Sequence, residues 1–185
     1  FDENSFSLAN QEVTINDDGS FYSMDWSGIA DEQVLIFDST LYAYGDITLN
    51  KMLSLRRNVN FSGIQFVQQS VFDADSASID CAFQIIMDNT SDSLIFASDI
   101  LMSDSSSCIL VTGNLSTQGN ALKTGSLKTI NNPFSGSDLR SVDISNSTVY
   151  LSLEFNSSGD TSLVFDASNS LLYIGDTLDF LNNLK

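Results

Sequence analysis

Ser145-Asn146-Ser147-Thr148-Val149-Tyr150-Leu151 is answered a short interval later by Ser168-Asn169-Ser170-Leu171-Leu172-Tyr173-Ile174. Each copy reads Ser-Asn-Ser, one variable residue, an aliphatic residue, Tyr and another aliphatic residue. From the first copy onward apolar and polar positions alternate, with Val149, Leu151, Leu153 and Phe155 on one parity and Tyr150, Ser152 and Glu154 on the other. Successive side chains of a strand point to opposite faces, so this spacing predicts a strand that turns Val149, Leu151, Leu153 and Phe155 into a core. A polar turn, Asn156 to Asp160, follows. A short strand, a turn and another short strand, repeating at this interval, is the sequence form of one coil of a solenoid.

The same grammar extends outward from this stretch. Ile79, Cys81, Phe83 and Ile85 share a parity, as do Leu94 and Phe96, and Cys108-Ile109-Leu110-Val111 is a short apolar run. A Ser-x-Ser triplet precedes an apolar run five times, at Ser76, Ser91, Ser105, Ser145 and Ser168. Val59 and Phe61 alternate, Ser62-Gly63 interrupts, and Ile64 and Phe66 resume one residue out of step, as at a bulge or a coil corner. No segment keeps a helical period. Parallel strands normally need long crossovers, and the chain has no room for them unless each coil returns through short turns. The expected fold is therefore all-β, a right-handed parallel β-helix with irregular end caps. A β-sandwich or jelly roll is the alternative, since parts of the chain also carry turn signals at sandwich spacing.

At 185 residues the chain suits a single all-β domain with a real core. Residues 1–45 read as an N-terminal cap region, with Phe21, Tyr22 and Trp26 crowded after the turn Asn16-Asp17-Asp18-Gly19. Residues 117–141, which hold Gly119, Gly125, Gly136 and the only proline, Pro133, read as a loop-rich insertion.

Charge limits the partners. Net charge is −17, and 20 of the 24 acidic residues are Asp. Asp favours turns where Glu favours helix, so the acidity reads as many acidic turns. A surface of this sign repels nucleic acid, anionic membranes and polyanionic sugars, the last unless cations bridge them. There is no His, which removes imidazole acid–base chemistry and His-based zinc sites. No apolar run approaches the length of a membrane-spanning helix. The absence of an initial Met is read as a removed signal segment or a fragment boundary. With two cysteines, few Lys and abundant Ser, Thr and Asn, the expected location is extracellular or at the cell surface.

Strings such as Ile47-Thr48-Leu49, Val59-Asn60-Phe61-Ser62-Gly63 and Val142-Asp143-Ile144-Ser145-Asn146-Ser147 give residues 47–180 a resemblance to the β-helical passenger domains of bacterial autotransporter-type adhesins. Within that group the chlamydial polymorphic membrane proteins carry F-x-x-N and G-G-A-aliphatic repeats. Phe180-Leu181-Asn182-Asn183 matches the first, and the second is absent. The resemblance implies an extracellular surface protein and transfers no functional residues.

Candidate sites follow from residue chemistry. Tyr22 and Trp26 either cap the core or, with Tyr150 and Tyr173, offer aromatic surface to a ligand. Asp73, Asp75 and Asp80 cluster in sequence as oxygen donors of the kind calcium needs, although solvated turn carboxylates have the same look and no complete calcium-loop motif occurs. The separation of Cys81 from Cys108 is close to one coil, and the two are expected to bridge neighbouring coils as a disulfide. The five N-x-[ST] sites match chance. The function expected is non-catalytic binding or adhesion, or a structural role, toward a carbohydrate or protein surface ligand. A carbohydrate-active enzyme or carbohydrate-binding module is the runner-up, because paired carboxylates can cleave glycosidic bonds. A self-associating filament subunit is the third reading, because exposed solenoid ends and sheet edges can join.

Overall fold

In the computed structural model, which describes residues 8–16, 18–57, 63–79, 84–130, 140–157, 163–175 and 177–179, the described residues hold strands and turns and no helix. None therefore forms a helix long and apolar enough to cross a membrane. Strands β1 (Gln11–Ile15), β2 (Gly19–Phe21) and β3 (Met24–Asp25) make one coil, and β4 (Gln33–Phe37), β5 (Thr40–Ala43) and β6 (Ile47–Thr48) the next. Then come β7 (Leu53–Arg57), β8 (Gly63–Phe66) and β9 (Ser70–Asp73), followed by β10 (Ser78–Ile79) with the long β11 (Gln84–Phe96). The remaining coils are β12 (Ile100–Leu101) with β13 (Ser107–Ser116), β14 (Leu122–Thr129) with β15 (Arg140–Asp143), β16 (Thr148–Asn156) with β17 (Leu163–Asp166), and β18 (Leu171–Ile174) with β19 (Thr177–Asp179).

All strand pairs among the described residues are parallel and join one coil to the next, as in a β-solenoid with three strand-bearing faces. The sandwich alternative, which needs antiparallel neighbours, is excluded. On the first face Val13, Leu35 and Leu55 stand in one inward column that Ile79 and Met102 extend. Leu122, Val149 and Leu172 form a second such column toward the C-terminal end. On the second face the column runs Leu41, Ile64, Ile85, Cys108, Leu127, Phe155. On the third, Met24, Ile47, Phe72 and Phe96 are in register, and the Phe72 and Phe96 rings meet edge to face at 6.2 Å. Each column is a row of side chains repeating at the interstrand distance of about 4.8 Å, so a coil buries its inner face only because its neighbours supply the rest of the row.

Two expected boundaries shift. The 1–45 cap region contributes full coils from Gln11 onward, with the whole of β1 in register on β4. Within the expected 117–141 insertion, β14 lies instead in the ladder between β13 and β16; residues 131–139 are outside the described residues.

The Ser-Asn-Ser echo is the corner leading into the first face. There Ser147 N–H donates to the carbonyl of Ile144, and Ser170 N–H to that of Ala167. Ala77 and Asn120 make the same bond to Ala74 and Thr117. The third residue of each turn is left-handed: Ser76 (φ 63°), Gly119 (φ 85°), Asn146 (φ 58°) and Asn169 (φ 56°). Asn and Gly tolerate that region best. The turns are also stapled to one another, since the Thr117 and Ser147 hydroxyls meet at 2.6 Å in the interior and Ser147 N–H donates to Ser170 Oγ at 3.2 Å.

This corner accounts for part of the Asp content. Asp25, Asp143 and Asp166 each accept, through Oδ1, the N–H two residues on, from Ser27, Ser145 and Ser168 at 2.8, 2.9 and 2.9 Å. Hydrogen bonding from the Ser145 hydroxyl first, and then from the Ser145 N–H and the Ser116 hydroxyl, outweighs partial burial and holds the Asp143 carboxyl below its ordinary value of 3.8. A carboxylate whose folded pKa is depressed contributes stability above the unfolded pKa and loses it as pH falls through the folded value. Asp143→Ala is therefore expected to cost roughly 1 kcal/mol at pH 7. The gap between the two melting curves should begin to narrow as pH falls past about 4, where the unfolded carboxyl takes up its proton, and close only below the depressed folded value. A gap of constant size from neutral to strongly acidic pH would show that the charge of Asp143 has no part in the turn.

Candidate functional site: an aromatic groove on the first face

The outward positions of the first face form a row whose chemistry changes along the rod. Over the early coils it reads Glu12, Val34, Ser54, Ser78. Over the later ones it reads Leu101, Lys123, Tyr150, Tyr173. Tyr150 and Tyr173 are direct register partners, so the coil repeat sets their rings one above the other, with centroids 4.7 Å apart and planes within 6°. Both remain about half exposed, at 45% and 50%. A stacked pair of this kind adds roughly 0.5–1.5 kcal/mol beyond area burial, yet leaves each side chain about half open to solvent.

Beside the pair runs a groove of about 540 Å³. Leu151, Leu172 and Ile174, on the inward parity, underlie it, Ser152 and Gly175 belong to the corner, and Asp104 and Lys123 complete the lining. Lys123 Nζ lies 3.3 Å from Asp104 Oδ1, and Ser152 Oγ donates to the Asp104 carbonyl at 3.0 Å. The ion pair is exposed and contributes little to stability. Its relevance is that a cation and a carboxylate sit together at the end of an aromatic wall. Lys123 and Asp104 were not legible as site residues, because the coil from Lys123 to Tyr150 is longer than the one from Tyr150 to Tyr173 and breaks the spacing of the echo.

The other expected ligand residues separate. Trp26 is 1% exposed and packs in the core, which settles its role as interior and overturns the sugar-stacking reading. Tyr22, 76% exposed, lines a different and more polar groove of about 350 Å³ with Tyr44, Asp46, Gln68, Gln69 and Asp92. There the Asp46 carboxylate already accepts Val71 N–H at 2.8 Å.

Of the expected calcium cluster Asp73, Asp75 and Asp80, the first two are among the described residues. Asp73 Oδ1 accepts the Asp75 N–H at 3.1 Å, which makes Asp73 a turn cap. Asp80 lies outside the described residues, and among the described residues no group of three or more His, Cys, Asp or Glu is placed to hold a metal ion.

The expected disulfide is corrected at Cys108, which is a free, buried thiol. Its register partners on the neighbouring coils are Ile85 and Leu127. The position one coil before Cys108 therefore belongs to Ile85 and not to Cys81, which precedes it in the chain. Cys81 itself lies outside the described residues. Burial pushes the Cys108 thiol up to about 12, and a neutral, enclosed thiol reacts slowly. Iodoacetamide should leave Cys108 unmodified in the native protein and alkylate it readily in concentrated guanidinium. Peptide mapping reads the site, and rapid native labelling would contradict its burial.

No protein-family model, curated protein or solved structure matches the chain.

Proposed function

We propose that the chain is a secreted or cell-surface protein that works by binding, with the outer row of the first face as its contact surface. The observation that carries this reading is the Tyr150–Tyr173 stack, a pair of large aromatic side chains left half exposed beside a concave surface. Isolated exposed apolar residues are ordinary, but contiguous exposed apolar surface with a polar rim marks interaction sites. Here Leu171 (57% exposed) and Leu101 (47%) extend the same outward face. A stiff parallel stack suits such a surface, since its ladder fixes side-chain positions without a ligand present. The resemblance to autotransporter-type passenger domains points the same way.

Beads coated with the chain should retain ligands from an array of extracellular glycans and matrix proteins, and the retained ligands should be recovered intact by mass spectrometry. Tyr150→Ala/Tyr173→Ala should abolish retention while the melting temperature stays within a few degrees. Cleaved ligand would move the protein to the enzymes. Retention that ignores the double substitution would remove the contact surface from this face.

A further inference from the structure

We propose that the groove beside Tyr150 and Tyr173 is a site for a short, uncharged oligosaccharide. The proposal rests on the reading of this face as the contact surface and names its ligand. Three observations carry it.

The first is size and shape. A concavity of about 540 Å³ lies within the range of small-ligand sites, roughly 300–1,000 Å³. A protein partner of ordinary affinity covers on the order of 800 Å² per side, far more than one groove walled by two tyrosines.

The second is the mixture of groups. A sugar ring has an apolar face of C–H bonds and a rim of hydroxyls that both donate and accept. The Tyr rings already cover one another on one side, with planes within 6°. What the half-exposed pair offers a ligand is aromatic surface and two phenolic groups, each a donor and an acceptor. Leu172 and Ile174 border the groove, and the Asp104 carboxylate and Lys123 ammonium lie within the same lining. A carboxylate accepts from vicinal sugar hydroxyls while an ammonium donates to them. A sugar ring can use the aromatic wall, the acceptor and the donor together.

The third is charge. Lys123 and Asp104 form a pair at 3.3 Å, so the groove is locally neutral. The chain as a whole carries −17, a field that repels uronates and sulfated sugars. Lys123 does not offset that field, because Asp104 already neutralises it. The ligand is therefore a neutral sugar.

Calorimetric titration of the whole chain with cellotetraose, chitotetraose, mannotetraose and galactotetraose tests this, with tetragalacturonate as the charged counterpart. At least one neutral tetraose should bind, and tetragalacturonate should not. Tyr173→Ala and Asp104→Asn should each raise the Kd ten-fold or more. Asp104 is a surface side chain, 67% exposed, so its substitution leaves the fold intact. Should Tyr173→Ala unfold, Tyr173→Leu keeps the apolar bulk and removes the ring and hydroxyl. Absence of heat with every neutral probe at millimolar concentration, indifference of the Kd to both substitutions, or preference for tetragalacturonate each overturns the proposal. Persistence of Tyr-dependent retention of matrix proteins alongside silent sugars would refute the sugar assignment and leave the adhesion reading standing. A sugar that binds without any surface retention would do the reverse.

Discussion

Leu151→Asp should abolish the cooperative fold, whereas Leu153→Asp, two residues further along the same strand, should leave the melting curve almost unchanged. Alternation alone puts both side chains in the core. The structure buries Leu151 (2% exposed), between Thr124 and Ile174 of the neighbouring coils, and leaves Leu153 at 47%. The cause is a register shift. Thr124 pairs with Leu151, but Ser126 pairs with Glu154, so Ser152 and Leu153 together oppose the single residue Gly125. The extra residue turns the strand around the corner between the first and second faces, and Phe155 regains the interior on the far side (0% exposed). Removing a buried Leu costs roughly 2–5 kcal/mol, and an uncompensated buried carboxylate adds several more. The sum approaches the whole stability of a typical domain, about 5–15 kcal/mol. An exposed substitution such as Leu153→Asp falls within about 0.5 kcal/mol of neutral. Circular dichroism melts of the two variants provide the comparison. Equal losses would mean that the corner is not where the register shift places it.

Gly63→Ala is the second large effect, because one methyl group has nowhere to go. A Cβ at Gly63 would stand 2.0 Å from the carbonyl oxygen of Gln84, its register partner on the next coil. The obstacle is backbone, so relief requires the two coils to part just where Ile64 and Ile85 begin their shared column. Overpacking against movable side chains costs about 1–3 kcal/mol, and this case belongs at or above the top of that range. Gly119→Ala is the useful contrast. Its backbone is left-handed, at φ +85°, but the nearest atom to a new Cβ is 3.8 Å away. The cost there is conformational only, about 1–2 kcal/mol. Denaturant midpoints should rank wild type above Gly119→Ala and Gly119→Ala above Gly63→Ala. A reversed order would show that backbone handedness outweighs contact between coils.

The fold was legible because its inward columns are made of unambiguous residues. Val149 and Leu151, or Leu94 and Phe96, alternate cleanly, and the Ser-Asn-Ser echo coincides with the register Tyr150↔Tyr173. Three of the five Ser-x-Ser triplets, at Ser76, Ser145 and Ser168, fall at the same corner. Corners were less legible. A bulge such as that at Leu153 depends on what the neighbouring coil supplies, and nothing local to Ser152-Leu153 announces it. The disulfide reading failed for a related reason, since a coil length measured between two cysteines is an average, whereas register is set strand by strand. Half of the candidate site was visible in the paired tyrosines. Lys123 and Asp104 were not, because a solenoid brings residues together across coils of unequal length. Trp26 could be placed only once the coil around it was known.

Those unequal lengths reach beyond this one chain. Val13, Leu35, Leu55, Ile79 and Met102 succeed one another in the first-face core at intervals that differ from coil to coil, the shortest running from Leu35 to Leu55. The interval stretches further between Thr124 and Leu151 and contracts again between Leu151 and Ile174. Apart from the register shifts in β11–β13 and β14–β16, the strands keep step, so the surplus is taken up at bulges and between strands. A gene encoding such a chain can gain or lose a few codons between strands without disturbing the interior, and can duplicate or delete a whole coil at the cost of one interface remade. Reading-frame-preserving insertions and deletions between strands become a route by which the outer row acquires new side chains while the columns behind it stay as they are.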